Sequence, residues 1–210
     1  MKNSSGKLKV ILAILIVVVA VIIVFYRVAN QKKVDEGMVK LTATQDALLR
    51  NMEANYPPTP KEVVKYYAEL SQCMYASETK EEEIQQLAAK SRELLDEELV
   101  AQQTDEQYYV ALKTTIDSFK KEKRRIVSFT IPTNASQVEY YKSIDGDEMA
   151  SLYCVFTLEK GGSLYYSDNE QYILRKDSKG YWKILGWQPV TKNEDNEQIR
   201  YIYFRNREFM

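Results

Sequence analysis

Sixteen tyrosines, thirty carboxylates, two cysteines and no histidine define the chemistry open to this 210-residue chain. Without histidine it lacks the commonest metal ligand and the commonest general base at neutral pH. Cys73 and Cys154 stand far apart and form no CxxC pair, so zinc-ribbon and thioredoxin-like chemistry are excluded. Both lie among apolar neighbours, as in Leu152-Tyr153-Cys154-Val155-Phe156, and read as small core residues. A long-loop disulfide is the alternative for a domain outside the cell. Asp145-Gly146-Asp147-Glu148 lacks the twelve-residue spacing of a calcium loop and reads as a solvated turn, as does Asp168-Asn169-Glu170. The sequence therefore implies no cofactor and no metal. What remains is aromatic: the only two tryptophans, Trp182 and Trp187, and a set of tyrosines able to line an apolar interior. The candidate lining residues are Tyr67, Tyr108, Tyr153, Tyr166, Trp182 and Trp187.

Charge narrows the partners. Six of the 29 basic residues and none of the 30 acidic ones precede Val34, so the rest of the chain carries 23 basic against 30 acidic. A body that acidic has no electrostatic footprint for a phosphate backbone, which excludes nucleic acid. The basic run Lys120–Arg125 reads as the end of a helix, where cations favour the dipole. Asn134-Ala135-Ser136 matches a glycosylation acceptor, a match short enough to arise by chance.

Residues 10–26, VILAILIVVVAVIIVFY, contain no charge. At about 1.5 Å per residue this run reaches ~26 Å, and Leu8 and Val28 extend it toward the ~30 Å of a hydrocarbon core. It exceeds the apolar region of a cleaved signal peptide, and Arg27 stands where a small residue is needed for cleavage. Residues 10–28 are expected to form an uncleaved transmembrane helix. Lys2, Lys7 and Lys9 with the α-amino group slightly outweigh Arg27, Lys32 and Lys33. That places residues 1–9 in the cytoplasm and the rest outside. The membrane bilayer is then one partner, and a protein partner or a second copy is the other.

The elements that must position the aromatic residues follow from periodicity. Val34, Met38, Leu41, Gln45, Leu48 and Met52 recur with a 3.5-residue period, predicting a helical stalk within a linker of residues 29–56. Asn55-Tyr56-Pro57-Pro58 breaks it. Capping boxes at Thr59–Glu62, Thr79–Glu82 and Thr104–Gln107 then predict three helix starts. Each helix carries an apolar stripe on one side: Val63, Tyr67, Leu70 and Met74; then Ile84, Leu87, Ala88, Leu94, Leu95 and Leu99; then Tyr108, Leu112, Ile116 and Phe119. From residue 126 onward the period changes to two, predicting strands at 126–131, 137–143, 149–159, an interrupted 165–176, and a last strand through Trp182. Gly161-Gly162 and Asp177–Gly180 are the turns. Strict alternation puts Trp182 and Ile184 on one face of the last strand, and Lys183, Leu185 and Trp187 on the other. Residues 191–210 form a tail whose stretch 199–204 reads as a short extra strand or a loosely held end.

Three helices followed by an antiparallel meander that closes on Gly180-Tyr181-Trp182-Lys183-Ile184 resemble the nuclear transport factor 2-like (NTF2-like) superfamily, over about Pro57 to Val190. The resemblance implies an α+β domain, residues 57–190, with three helices packed on a curved antiparallel sheet as a cone. With one membrane helix in front, the layout looks like small anchored proteins of Gram-positive bacteria and is similar to VirB8-like components of secretion and conjugation machines, which implies an assembly role. Relatives with this fold include ketosteroid isomerase and scytalone dehydratase. The dehydratase type needs histidines that this chain lacks, while the isomerase type uses aspartate and tyrosine. The leading expectation is a non-enzymatic, membrane-anchored binding or assembly module. A receptor for a small apolar ligand in the cone is the alternative, and an isomerase- or hydratase-type enzyme ranks below both.

Overall fold

The computed structural model describes residues 41–131 and 138–190, with side chains of residues 165–168 excepted. The expected membrane span, the first part of the stalk, Asn134-Ala135-Ser136 and the tail 191–210 lie outside the described residues. Among the described residues, no helix is long and apolar enough to cross a membrane.

Among the described residues, five helices precede five strands. The helices are α1 (Ala43–Leu49), α2 (Pro60–Met74), α3 (Glu81–Arg92), α4 (Glu97–Gln102) and α5 (Asp105–Lys121). The strands are β1 (Arg124–Thr130), β2 (Glu139–Lys142), β3 (Glu148–Lys160), β4 (Ser163–Lys176) and β5 (Trp182–Pro189). The fold is α+β, as expected; of the two helices beyond the three expected from residue 59 onward, one, α1, falls in the expected helical stalk. Helix α1 begins at a full capping box in which Thr42 Oγ1 accepts from Gln45 N at 3.1 Å and Gln45 Oε1 accepts from Thr42 N at 3.0 Å. Leu48 packs against the core and Met52 is buried within it. The compact unit accordingly starts at Thr42 rather than at Pro57, and the second half of the expected stalk belongs to it.

The other extra helix arises because the expected second helix is cut short. After Arg92 the chain runs beside β5: Ile184 N donates to Leu94 O and Asp96 N donates to Ile184 O, both at 2.8 Å. Those bonds end α3, and Asp96 Oδ1 then caps α4 by accepting from Glu98 N at 3.0 Å. The Thr104 box forms as expected, while at Thr59 the forward half forms, its hydroxyl accepting from Glu62 N at 3.3 Å, and Glu62 takes the hydroxyl proton instead of reaching back to the backbone. At Thr79 the expectation fails. Its hydroxyl donates to Cys73 O at 2.6 Å, tying α3 back to α2, and Lys80 takes the cap position. Only the return half of the box forms there, with Glu83 Oε2 accepting from Lys80 N, because an ammonium has no acceptor to offer.

The sheet is antiparallel throughout, ordered β1-β3-β4-β5, with β2 also pairing β3. Gly161 and Gly162, both at positive φ, turn β3 into β4. On β3 the alternate residues Ala150, Leu152, Cys154, Phe156 and Leu158 are buried, and with Tyr172, Leu174 and Ile184 they meet Val63, Leu70, Met74, Ile84, Leu87 and Ile116 from the helices. Each fully buried aliphatic side chain contributes roughly 1.5–3 kcal/mol. One extra residue interrupts each ladder: Val127 between β1 and β3, Tyr165 between β3 and β4, Leu185 between β4 and β5. Such bulges bend the strand that carries them, which curves the sheet. Helix α2 secures the first, where Gln72 Nε2 donates to Val127 O at 2.6 Å.

A buried ion pair joins the α3–α4 junction to the sheet. Arg175 Nη2 and Nε donate to the two carboxylate oxygens of Asp96 at 2.5 and 3.1 Å, and Arg175 Nη1 reaches Glu98 at 2.7 Å. Asp96 is only 2% exposed. Removing one partner of a buried pair strands the other charge, at a cost of about 3–5 kcal/mol. Asp96→Ala is therefore expected to lower unfolding stability by about that amount in urea titrations, with part of it from loss of the α4 cap.

Candidate functional site

Strand β4 sets Glu170, Tyr172 and Leu174 on one face. By register Glu170 lies opposite Cys154, Tyr172 opposite Leu152 and Leu174 opposite Ala150, so this is the face under the helices. Across the other edge, Leu174 pairs with Ile184 and Tyr172 with Trp187, because Leu185 is skipped. The bulge thus returns Trp187 to the face of Trp182 and Ile184. This corrects the strict alternation that assigned the two tryptophans to opposite faces: one unpaired residue reverses the parity of all that follows it.

The two rings nevertheless sit in different places. Trp182 is buried, with Tyr140 edge-on at 5.8 Å between centroids and Lys176 Nζ above it at 5.6 Å. Trp187 stacks on Tyr172 at 6.2 Å and tilts against Tyr67 of α2 at 5.6 Å, while Tyr67 meets Tyr172 edge-on at 5.9 Å. Despite these neighbours Trp187 is 37% exposed.

The hydroxyls beneath form an oriented chain. Ser91 Oγ donates to Ala88 O at 2.8 Å, so its 2.9 Å contact with Tyr108 is a bond that Tyr108 donates. The Tyr67 hydroxyl neighbours that of Tyr108. Separately, the Tyr172 hydroxyl donates to Glu170 Oε2 at 2.5 Å. Burial, first, and then the Glu170 charge push the Tyr67 and Tyr172 phenols well above their ordinary range. The same two causes raise Tyr75 to about 12 and the Cys154 thiol to about 12. Burial also raises Tyr108, offset in part by the nearby Arg92 charge. At neutral pH the phenols and the thiol are neutral. None is a base or nucleophile there, and the cluster offers a carboxylate, hydroxyls and ring faces.

Of the six residues expected to line one interior, the structure brings Tyr67, Tyr108 and Trp187 together. Trp182 lies apart, and Tyr153, opposite Gln171, belongs to the other face of the sheet. The backbone of Tyr166 pairs with Leu158, and its side chain is outside the described residues. Sequence reasoning missed Glu170, Tyr172, Tyr75 and Ser91. The alternation Glu170-x-Tyr172-x-Leu174 carried a signal for the first two, since a charge on an apolar face is a departure that asks for a partner. Nothing local marked Ser91 or Tyr75. The turn 145–148 is a hairpin connection in which Ser143 Oγ accepts from Asp147 N at 3.0 Å and Glu148 pairs with Lys176 at 2.7 Å. A separate groove of about 320 Å³ lies between α1 and α2, lined by Asp46, Ala47, Leu49, Arg50, Tyr66 and Glu69. None of the expected lining residues faces it.

Two outcomes follow. Deleting Leu185 makes the ladder regular while Gly186 stays opposite Ile173 and Trp187 opposite Tyr172, so with Trp182 replaced by phenylalanine the emission maximum of the remaining tryptophan is expected to stay where it is in the parent, and a red shift would show that Trp187 had left the helix-facing surface. The second concerns alkali. In the unfolded chain the thiol ionises near 9.0 and the Tyr75 phenol near 10.0, while in the folded domain both hold their protons to about 12. The stability these groups contribute is complete below pH 9 and is lost as pH climbs toward 12. Urea midpoints measured across that window are expected to fall steadily, and Cys154 to resist thiol reagents at pH 8 until urea is added.

Comparison with known proteins adds the following. No curated protein matches the sequence. Among solved structures, the 2.1 Å structure of ActVI-ORFA from Streptomyces coelicolor matches with 12% identity and a TM-score of 0.39, covering 61% of this chain and 90% of that one. That likeness is too slight to carry an argument about function. Residues 1–187 match the family model described as Domain of unknown function (DUF6715), and the chain belongs to that family.

Proposed function

We propose that the chain is a membrane-anchored binding module that holds an NTF2-like domain outside the cytoplasmic membrane and uses the Trp187 end of its helix–sheet interface as the working surface. Support for the anchor is the charge-free run of residues 10–26. Support for the fold type is the order of helices before a bent antiparallel meander, with the helices on one face. The observation that carries the binding reading is Trp187 itself. It stands on the helix-covered face, is braced by two tyrosines, and still leaves over a third of its surface to solvent. A large indole left open beside a carboxylate and hydroxyls is a contact residue in search of a flat or polar partner.

Turnover is the weaker reading. A reacting carbon needs space beside the carboxylate, and the rings of Tyr67, Tyr172 and Trp187 stand 5.6–6.2 Å apart, touching one another. Two of the phenols are also committed, Tyr172 to Glu170 and Tyr108 to Ser91.

A specific observation favours assembly as a second reading. Tyr140 and Tyr141 on β2 are 61% and 44% exposed, and Ile144 just beyond them is fully exposed. Neighbouring apolar side chains of that size at one sheet edge suit a protein contact, a second copy included.

A photo-crosslinking amino acid placed at Trp187 or at Ile144, in intact membranes, separates the two. Small-molecule adducts at position 187 are expected. Protein adducts at position 144 with none at 187 would move the function to assembly, and no adduct at either site would overturn both readings. Protease added to whole cells is expected to remove the domain; survival there with digestion after lysis would reverse the topology.

A further inference from the structure

From the way α1 is held, we infer that this helix is a detachable strap: it lifts off α2 and α3 as a unit about an anchor at Met52 and uncovers Tyr66, while the rest of the domain stays folded. The strap does not involve Trp187 and goes beyond the binding reading above.

Helix α1 has seven residues and buries none of them, whereas α2 buries Val63, Val64, Tyr66, Ala68, Leu70 and Met74. Helices shorter than about 12 residues are marginal in water on their own. Helix α1 therefore exists because it is docked, and it lies across α2 and α3. Its last carbonyls have no partner within the helix, and no basic residue stands in its last turn. Two side chains from the helices beneath supply the donors. The Tyr66 hydroxyl of α2 donates to Ala47 O at 2.8 Å, and Lys90 Nζ of α3 donates to Leu48 O at 2.7 Å. Ala47 and Leu48 pack half-buried against the core, and the Thr44 side chain neighbours the Cys73 thiol of α2. The Arg50 guanidinium, just past the helix, lies over the Tyr66 ring at 4.6 Å. The fit is incomplete, since the groove of about 320 Å³ remains between α1 and α2.

Beyond α1 the hold changes. Arg50 is extended, with φ −62° and ψ 118°. Asn51 Oδ1 then accepts from Glu53 N and Ala54 N at 3.0 and 3.2 Å, and Met52 is buried in the core. The Tyr56 hydroxyl donates to Trp182 O at 2.9 Å and ties the chain to β5. The firmly held chain thus starts at Met52, and the extended residue two positions before it serves as the hinge. Tyr66 is 1% exposed although it lines the groove, so α1 and Arg50 are what cover it. Lifting α1 removes the acceptors of Tyr66 and Lys90 and the cation over the Tyr66 ring together. Few apolar contacts are lost with them, which is the character of a local opening far below the cost of global unfolding. Because α1 is the first element of the compact unit, whatever holds or pulls the chain ahead of Thr42 acts on the strap before it acts on α2.

The test uses the full chain in dodecylmaltoside. Hydrogen exchange followed by mass spectrometry is expected to show the amides of residues 46–49 exchanging about a hundredfold faster than those of residues 64–70, at a rate indifferent to low urea, the mark of a local opening. N-ethylmaleimide is expected to label Cys73 at a rate that follows this opening and to leave Cys154 untouched. Tyr66→Phe keeps the ring and is expected to raise both α1 exchange and Cys73 labelling about fivefold. Lys90→Met removes a charge-assisted bond and is expected to raise both about tenfold. Neither variant is expected to change exchange in residues 64–70 or labelling of Cys154. Circular-dichroism melts check that each is folded, and if Tyr66→Phe fails to fold, Lys90→Met decides alone. Exchange in residues 46–49 that matches residues 64–70 in rate and in its response to urea would overturn the strap, because α1 would then open only with the whole domain. Faster α1 exchange with no gain in Cys73 labelling would overturn it too, because the helix would fray without lifting.

Discussion

Strand β5 carries one residue more than the strand beside it, and the site depends on where that residue falls. Between Ile184 and Gly186 the ladder skips Leu185, so Tyr172 faces Trp187 where an uninterrupted ladder would have set Gly186 on that surface. With side chains alternating across a pleat, every position after the skip changes sides. The indole comes to rest against Tyr67 and Tyr172, and Gln188 passes to the far face, where its amide donates to Gln171 and Gln171 donates to Ser151. A single backbone irregularity thus settles two surfaces: an aromatic cluster beneath the helices and a row of amide bonds on the opposite side.

The cluster is held by directionality as much as by packing. Ser91 commits its proton to the Ala88 carbonyl, which obliges Tyr108 to donate to Ser91. Each hydroxyl has one proton to give, so the first bond on a helix carbonyl orients the rest. Tyr172 is a second, shorter branch ending on Glu170. Burial makes ionisation of these phenols costly, and the Glu170 charge adds to that cost. The result is a set of neutral phenols with one carboxylate beside them.

Much of the frame was legible in the sequence because it is local. Thr59 and Thr104 announce helices through bonds that span three residues, and the five alternate apolar residues of β3 announce the buried face of a sheet. What was not legible depends on partners distant along the chain. Thr79 has the same local pattern as Thr104, yet a carbonyl on α2 takes its hydroxyl, and the cap moves to Lys80. The second helix looked continuous through Leu99, yet the edge of β5 captured Leu94 and Asp96. The bulge at Leu185 is a property of two strands together and leaves no mark on either alone. Asp168-Asn169-Glu170 reads locally as a solvated turn, whereas Glu170 lies within β4 on the helix-facing side, and Tyr67, Tyr75, Tyr108 and Ser91 come toward it from three other parts of the chain. Trp187 stands out in the sequence as one of two tryptophans; the face it occupies does not.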